Sequence, residues 1–123
     1  MPILHVEIVV PDGVGLESGL AAKLADTAGK VFDSPPGRTW IRVYPLPRSQ
    51  YAENGGGPPD NVWPVFVTVL KAEVPTLDKL RAEARALAET VGQVCQRSSE
   101  NVHILYLPSA LGRIAFGGEL LAE

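Results

Sequence analysis

Cysteine is nearly missing from this chain of 123 residues: Cys95 stands alone. One thiol excludes an internal disulfide framework and a CxxC redox motif, and it fits a reducing compartment. Basic runs are missing too. With a formal net charge of −3 and no stripe of Lys and Arg, the chain lacks the electrostatic footprint of a nucleic-acid binder. No apolar run reaches the ~20 residues that span a bilayer, so no membrane partner is expected. The N-terminus has neither the basic start nor the small-residue cleavage site of a signal peptide. These absences predict one cytoplasmic domain, residues 1–123. A hydrophobic content of 46% is enough to give it a single core.

What is present is one pattern written twice. PILHVEIVV is short and rich in β-branched residues, the mark of a strand. PDGVG is a turn, and LESGLAAKLADTAGKVF places Leu16, Leu20, Leu24, Ala28 and Val31 at helical spacing. SPPGR then stops the helix, because proline lacks the backbone donor and restricts the residue before it. TWIRVYPL reads as a second strand, and SQYAENGGGPPDN as a hairpin or linker.

The order then restarts. WPVFVTVL is a strand, and Thr76 is placed as the N-cap of a helix with Asp78 in its first turn. Leu77, Leu80, Ala84, Leu87, Val91 and Val94 carry that helix. NVHILYLP is the last long strand, and GRIAFGGEL closes as a hairpin around Gly117 and Gly118. Overlaying the halves puts Pro2 on Pro64 and pairs WIRVYPLP with VHILYLP. The chain is therefore read as two pseudo-repeats, 1–60 and 61–123. Each β-α-β unit has parallel strands joined by a right-handed crossover. Two such units predict an α/β (α+β) fold: a four-stranded sheet with both helices on one face, plus short β-hairpins.

The strands carry apolar residues at both parities, Leu4, Val6 and Ile8 but also Ile3 and Val9. Such strands require burial on both faces. A chain this short cannot cover the second face itself, which predicts a closed oligomer. Pro2 adds chemistry. Initiator methionine ahead of proline is usually removed, and removal of Met1 would turn the Pro2 nitrogen into a free secondary amine. An α-amino group titrates at roughly 7.7–8.0, close enough to neutrality to be tuned into a general base. Pro64 is internal and has no such capacity.

Pro2 ahead of a strand, the doubled register and the Gly-Gly hairpin together resemble the tautomerase superfamily. GRIAFGGELLAE is similar to the end of 4-oxalocrotonate tautomerase, and the two-repeat length to macrophage migration inhibitory factor. The resemblance implies a homotrimer with active sites between subunits and Pro2 as base. The implied reaction is keto–enol tautomerisation of a small 2-oxo or enol carboxylate, with no metal or organic cofactor. It also implies substrate-binding roles. Arg42 matches a strand arginine that grips carboxylate, and Lys71 falls near substrate-binding arginines of related dehalogenases. His103 takes the place of a pocket tyrosine, Tyr51 offers an aromatic wall or hydroxyl donor, and Arg38 follows Pro35–Pro36 in a loop that could reach a neighbour's pocket. Trp40 and Trp63 are read as core or interface packing, and Glu7 and His5 as polar residues inside the trimer.

The chain departs from the family's pattern in four respects. Asp12 stands where an arginine is expected after the first strand, Ser34 where a lysine precedes Pro-Pro, and Ile114 where an aromatic lines the pocket; the paired arginines of the dehalogenase and decarboxylase branches are not both present. Two alternatives accompany the main reading. One is a Pro2-dependent hydratase, dehalogenase or decarboxylase, with Glu53 as the hairpin carboxylate that handles water. The other is a non-catalytic trimeric binding protein, should Met1 be retained.

Overall fold

The computed structural model describes residues 2–122, so the removal of Met1 falls outside the described residues. The elements follow the chain as β1 (Ile3–Val10), α1 (Leu20–Val31), β2 (Trp40–Pro47), β3 (Val65–Leu70), α2 (Leu77–Cys95), β4 (Val102–Tyr106), β5 (Ala115–Phe116) and β6 (Glu119–Leu120). β1 to β4 form one sheet in the order β2-β1-β3-β4. β2 runs parallel to β1, and β4 runs parallel to β3. The two β-α-β units meet where β1 pairs antiparallel with β3, with Val6 opposite Val67. Ile3 pairs with Trp40 and Val65 with Val102, so the two crossovers are equal in length. β5 and β6 make a separate antiparallel hairpin, turned by Gly117 at φ 59° and Gly118 at φ 89°. Two consecutive positive φ values are what a tight hairpin turn demands and glycine accepts.

Side-chain alternation places the core. Leu4, Val6 and Ile8 of β1 and Val65, Val67 and Val69 of β3 are buried on the helix side, against Leu24 and Ala28 of α1 and Leu87 and Val91 of α2. Each buried Val, Leu or Ile side chain among them contributes roughly 1.5–3 kcal/mol by leaving water. The register corrects the overlay of Pro2 on Pro64. The buried sets of β1 and β3 fall on opposite numbering parity, so the repeats are offset by an odd number of positions. Pro2 and Pro64 are separated by an even number, and superposing them would turn one strand's core face outward.

The helix boundaries show local backbone control. α1 begins at Leu20 rather than Leu16, because Gly19 at φ 89° precedes the first helical residue. Leu16 still packs on the core from the preceding loop. α1 ends ahead of the prolines, where Asp33 enters the left-handed region at φ 52°. Thr76 occupies the N-cap position of α2 but makes no side-chain cap bond; its carbonyl accepts the Leu80 N–H at 2.9 Å. At the other end Arg97 N–H bonds to the Gly92 carbonyl at 2.8 Å and Gln96 N–H to Gln93 at 3.4 Å, with Gln96 at φ 58°. That is the Schellman arrangement, and it turns the chain sharply into β4.

The opposite face of the sheet has no helix. It presents Ile3, His5 and Glu7 of β1, with Trp40, Arg42 and Tyr44 of β2, Phe66 and Thr68 of β3, and His103 and Leu105 of β4. Trp40 remains 45% exposed, with its ring edge-on to Phe116 at 5.4 Å, so within one chain it is a surface residue. Trp63 is half-buried beneath the Arg48 guanidinium, 4.2 Å from its ring centre.

Gly92 tests this packing. A methyl added there would meet the Arg97 carbonyl at 2.7 Å. Gly92→Ala is expected to destabilise by about 1–3 kcal/mol despite alanine's better helix propensity. Leu77→Ala, at a side chain 64% exposed, is expected to change stability by less than ~0.5 kcal/mol. Urea denaturation of both variants measures the contrast.

Candidate functional site

Pro2 is buried and leads directly into β1, a central strand. Its carbonyl accepts the Trp40 N–H at 3.0 Å, which anchors the chain start to β2. Pro2 has the parity of Leu4 and so lies on the helix side of the sheet. Ile3 pairs with Leu70, and one further step of the antiparallel register sets Pro2 across from Lys71.

Lys71 does not stand free. Its Nζ donates to Glu83 Oε1 of α2 at 2.7 Å and lies 5.2 Å from the centre of the Phe32 ring, just beyond α1. The second Glu83 oxygen accepts the Tyr106 hydroxyl of β4 at 2.7 Å. Burial, reinforced by Glu83, pushes the Tyr106 phenol well above the usual tyrosine range. The Lys71 carbonyl accepts Ala110 N–H at 2.9 Å, so the segment after β4 folds over this end of the sheet. One corner thus gathers Pro2, Lys71, Glu83, Tyr106 and Phe32 from five separate stretches of chain.

The other predicted residues lie elsewhere in the chain. Arg42 is exposed on the open face of the edge strand β2, paired in register with His5. His5 packs against Tyr44 with ring centres 4.6 Å apart. Tyr51 and His103 flank Phe66 on that same face, at 5.5 Å and 5.4 Å. The Phe66 row is four residues along β1 from the Ile3 row, a separation of roughly 13 Å. Arg38 is exposed in the turn after Pro35–Pro36. Of the predicted binding residues, Lys71 is the one that the β1–β3 register brings to the Pro2 end of the sheet. A surface groove of about 580 Å³ beside the end of α1 is lined by Asp26, Lys30, Asp33, Ser34 and Thr39 among others, and by none of the predicted site residues.

Glu53 is occupied as well. It accepts the Tyr51 hydroxyl at 2.6 Å, and burial first, then this bond, pushes the Tyr51 phenol up to about 12. Asp12 serves the architecture. Its Oδ1 accepts the Ser49 N–H at 3.0 Å, which holds its carboxyl below the usual aspartate value and ties the β1 turn to the loop after β2. Sequence reasoning missed two organisers of these loops. Arg48 donates to the Val62, Pro59 and Pro58 carbonyls at 2.7, 2.9 and 3.3 Å. Arg97 donates to those of Val9 and Trp63 at 3.0 and 2.9 Å. It also missed Glu83, whose one sequence signal is a carboxylate within the apolar face of α2, one position before Ala84.

Both raised phenols favour the folded state below about pH 10, the unfolded tyrosine value, and that advantage is lost as pH climbs towards the folded values. The urea midpoint is expected to fall between pH 9 and 11 more steeply in wild type than in Tyr106→Phe. Equal slopes would show that this hydroxyl carries no such linkage.

No family model matches the sequence, and neither does any curated protein. Solved structures match over nearly the whole chain. Macrophage migration inhibitory factor from Oncomelania hupensis superposes with a TM-score of 0.74 at 19% identity, covering 99% of this chain and 84% of its own. Pt0534, in a form inactivated by 2-oxo-3-pentynoate, gives 0.75 at 17% identity, covering 98% and 95%. A fused wild-type 4-OT, a symmetric trimer, gives 0.75 at 15% identity with the same coverage. At such identities the likeness speaks to architecture. The chain has the fold of the tautomerase superfamily: two β-α-β units joined through β1 and β3, with both helices on one face of the sheet.

Proposed function

We propose that this chain is a tautomerase-like isomerase in which Pro2, freed by removal of Met1, is the general base for keto–enol tautomerisation of small 2-oxo or enol carboxylates. The observation that carries the reading is Pro2 itself, buried just ahead of a central strand, with Lys71 one residue beyond the Ile3–Leu70 pair on the neighbouring strand. Burial disfavours the protonated amine, and a neighbouring cation disfavours it further, so both lower its pKa towards neutrality. The base takes a proton from the carbon beside a carbonyl or from an enol hydroxyl and returns it at the other position. Lys71 has donors left over from Glu83 and is suited to meet the substrate carboxylate or the developing enolate oxygen.

The working unit is proposed to be a homotrimer. Supporting this are the uncovered apolar face of the sheet and the symmetric trimer formed by a protein of the same fold. In that assembly Arg42, Tyr51, His103 or Arg38 of a neighbouring subunit can complete a pocket that one chain leaves open.

Ketonisation of phenylenolpyruvate, followed by ultraviolet absorbance, tests the reading once intact mass has shown that Met1 is gone. Pro2→Ala is expected to lower kcat/KM by about 10²–10⁴-fold, the usual worth of a positioned acid–base group. Protein that retains Met1 has an amide at this nitrogen and is expected to be inactive. An active Met1-bearing protein would sink the proposal. A correctly processed trimer inactive towards both enols and haloacrylates would favour the binding-protein alternative, and turnover of haloacrylates alone would favour the hydratase or dehalogenase branch.

A further inference from the structure

Glu83 belongs to α2 but turns its carboxylate towards the sheet, with 14% of its side chain exposed. Both of its oxygens are engaged, one by the Lys71 ammonium and one by the Tyr106 hydroxyl, each at 2.7 Å. A carboxylate held at both oxygens is poorly placed to accept a substrate proton and well placed to orient its partners. Lys71 needs such orientation. Its four-carbon stem is flexible, and among the described residues Glu83 and the Phe32 ring fix the direction of its head group. The result is an ion pair with no net charge, set across the register from Pro2.

We propose that Glu83 is a positioning residue that sets the proton affinity of the Pro2 amine through Lys71. The claim rests on Pro2 having a free amine. Glu83 holds the ammonium at this corner and offsets part of its field, so the amine pKa is lowered less than an uncompensated Lys71 would lower it. The remaining ammonium donors stay available to an incoming carboxylate, which would be repelled by Glu83 were its charge not met by Lys71. The groups facing this corner are Lys71 after β3, Glu83 on α2 and Tyr106 on β4; the α1 side presents the uncharged Phe32 ring. Lys30, Asp33 and Arg38 are nearby in sequence but exposed to solvent.

The test compares wild type, Glu83→Gln, Lys71→Met and the double variant, all lacking Met1. Glu83→Gln keeps the shape and leaves the ammonium uncompensated. The Pro2 amine pKa is then expected to fall by about 0.5–3 units, the range one charge roughly 4–6 Å away produces between watery and protein-like screening. In Lys71→Met it is expected to rise, with KM for phenylenolpyruvate also rising. In the double variant, where both charges are gone, it is expected to return towards wild type. Two readouts report the pKa: the acid limb of kcat/KM, and a titration of the ¹⁵N-proline resonance of Pro2, which needs no turnover. Coincident titrations of wild type and Glu83→Gln, or a double variant that fails to return, would overturn the proposal. An enzyme without turnover whose amine still shifts as described would sink the tautomerase reading and leave the Glu83 claim standing.

Discussion

The antiparallel seam between β1 and β3 is the constraint from which the rest of the molecule follows. Each β-α-β unit alone is two parallel strands under one helix, too small to enclose a core. Pairing Leu4 with Val69, Val6 with Val67 and Ile8 with Val65 merges two half-cores into one layer beneath both helices. The seam also decides which end of the sheet receives which groups. Because the strands run in opposite directions, the start of β1 meets the end of β3, and Pro2 arrives beside Lys71.

The same seam leaves the second face bare. Among the described residues no polar or charged side chain is fully buried, while Trp40, Tyr44 and Leu105 on the strands, Leu107 just beyond β4 and Leu120 on the hairpin stay well exposed. A sheet with one face packed and the other apolar and open is half of an interface. His5, Glu7 and Arg42 are interspersed on that face, and polar groups there must find partners on whatever covers it. The loops around it are held by cations that direct their donors at backbone carbonyls. Arg48 braces the stretch from Pro58 to Trp63, and Arg97 ties the end of α2 to the far end of β1. Burial makes the Arg97 charge harder to keep, and the two carbonyls it reaches offset that penalty. Both arginines spend donors on backbone carbonyls.

At the Pro2 corner a few polar groups are linked into one set. One ammonium, one carboxylate and one phenol form a continuous series of hydrogen bonds between β3, α2 and β4, next to a ring from the α1 side. Of the residues the family resemblance named, Arg42 lies on the open face of the sheet, away from this corner, and Asp12 serves the loop after β2.

Strand identities, the period of α2, the Gly117–Gly118 turn and the doubled element order were all legible in the sequence, because each depends on residues a few positions apart. The uncovered face was legible too, from apolar residues at both strand parities. The start of α1 was missed by four residues, since a left-handed glycine outweighed a continuing apolar spacing. The offset between repeats was misjudged because two prolines invite superposition, while strand facing, which composition does not record, forbids it. Only the tertiary structure joined Lys71 to Glu83 and Tyr106, and Arg97 to Val9. Those partners are separated by whole elements, and their meeting depends on the direction of the β1–β3 seam and the rotation of α2 about its own axis. Local sequence specifies local periodicity; a site assembled from several elements exists only once their packing has fixed which side chains face each other.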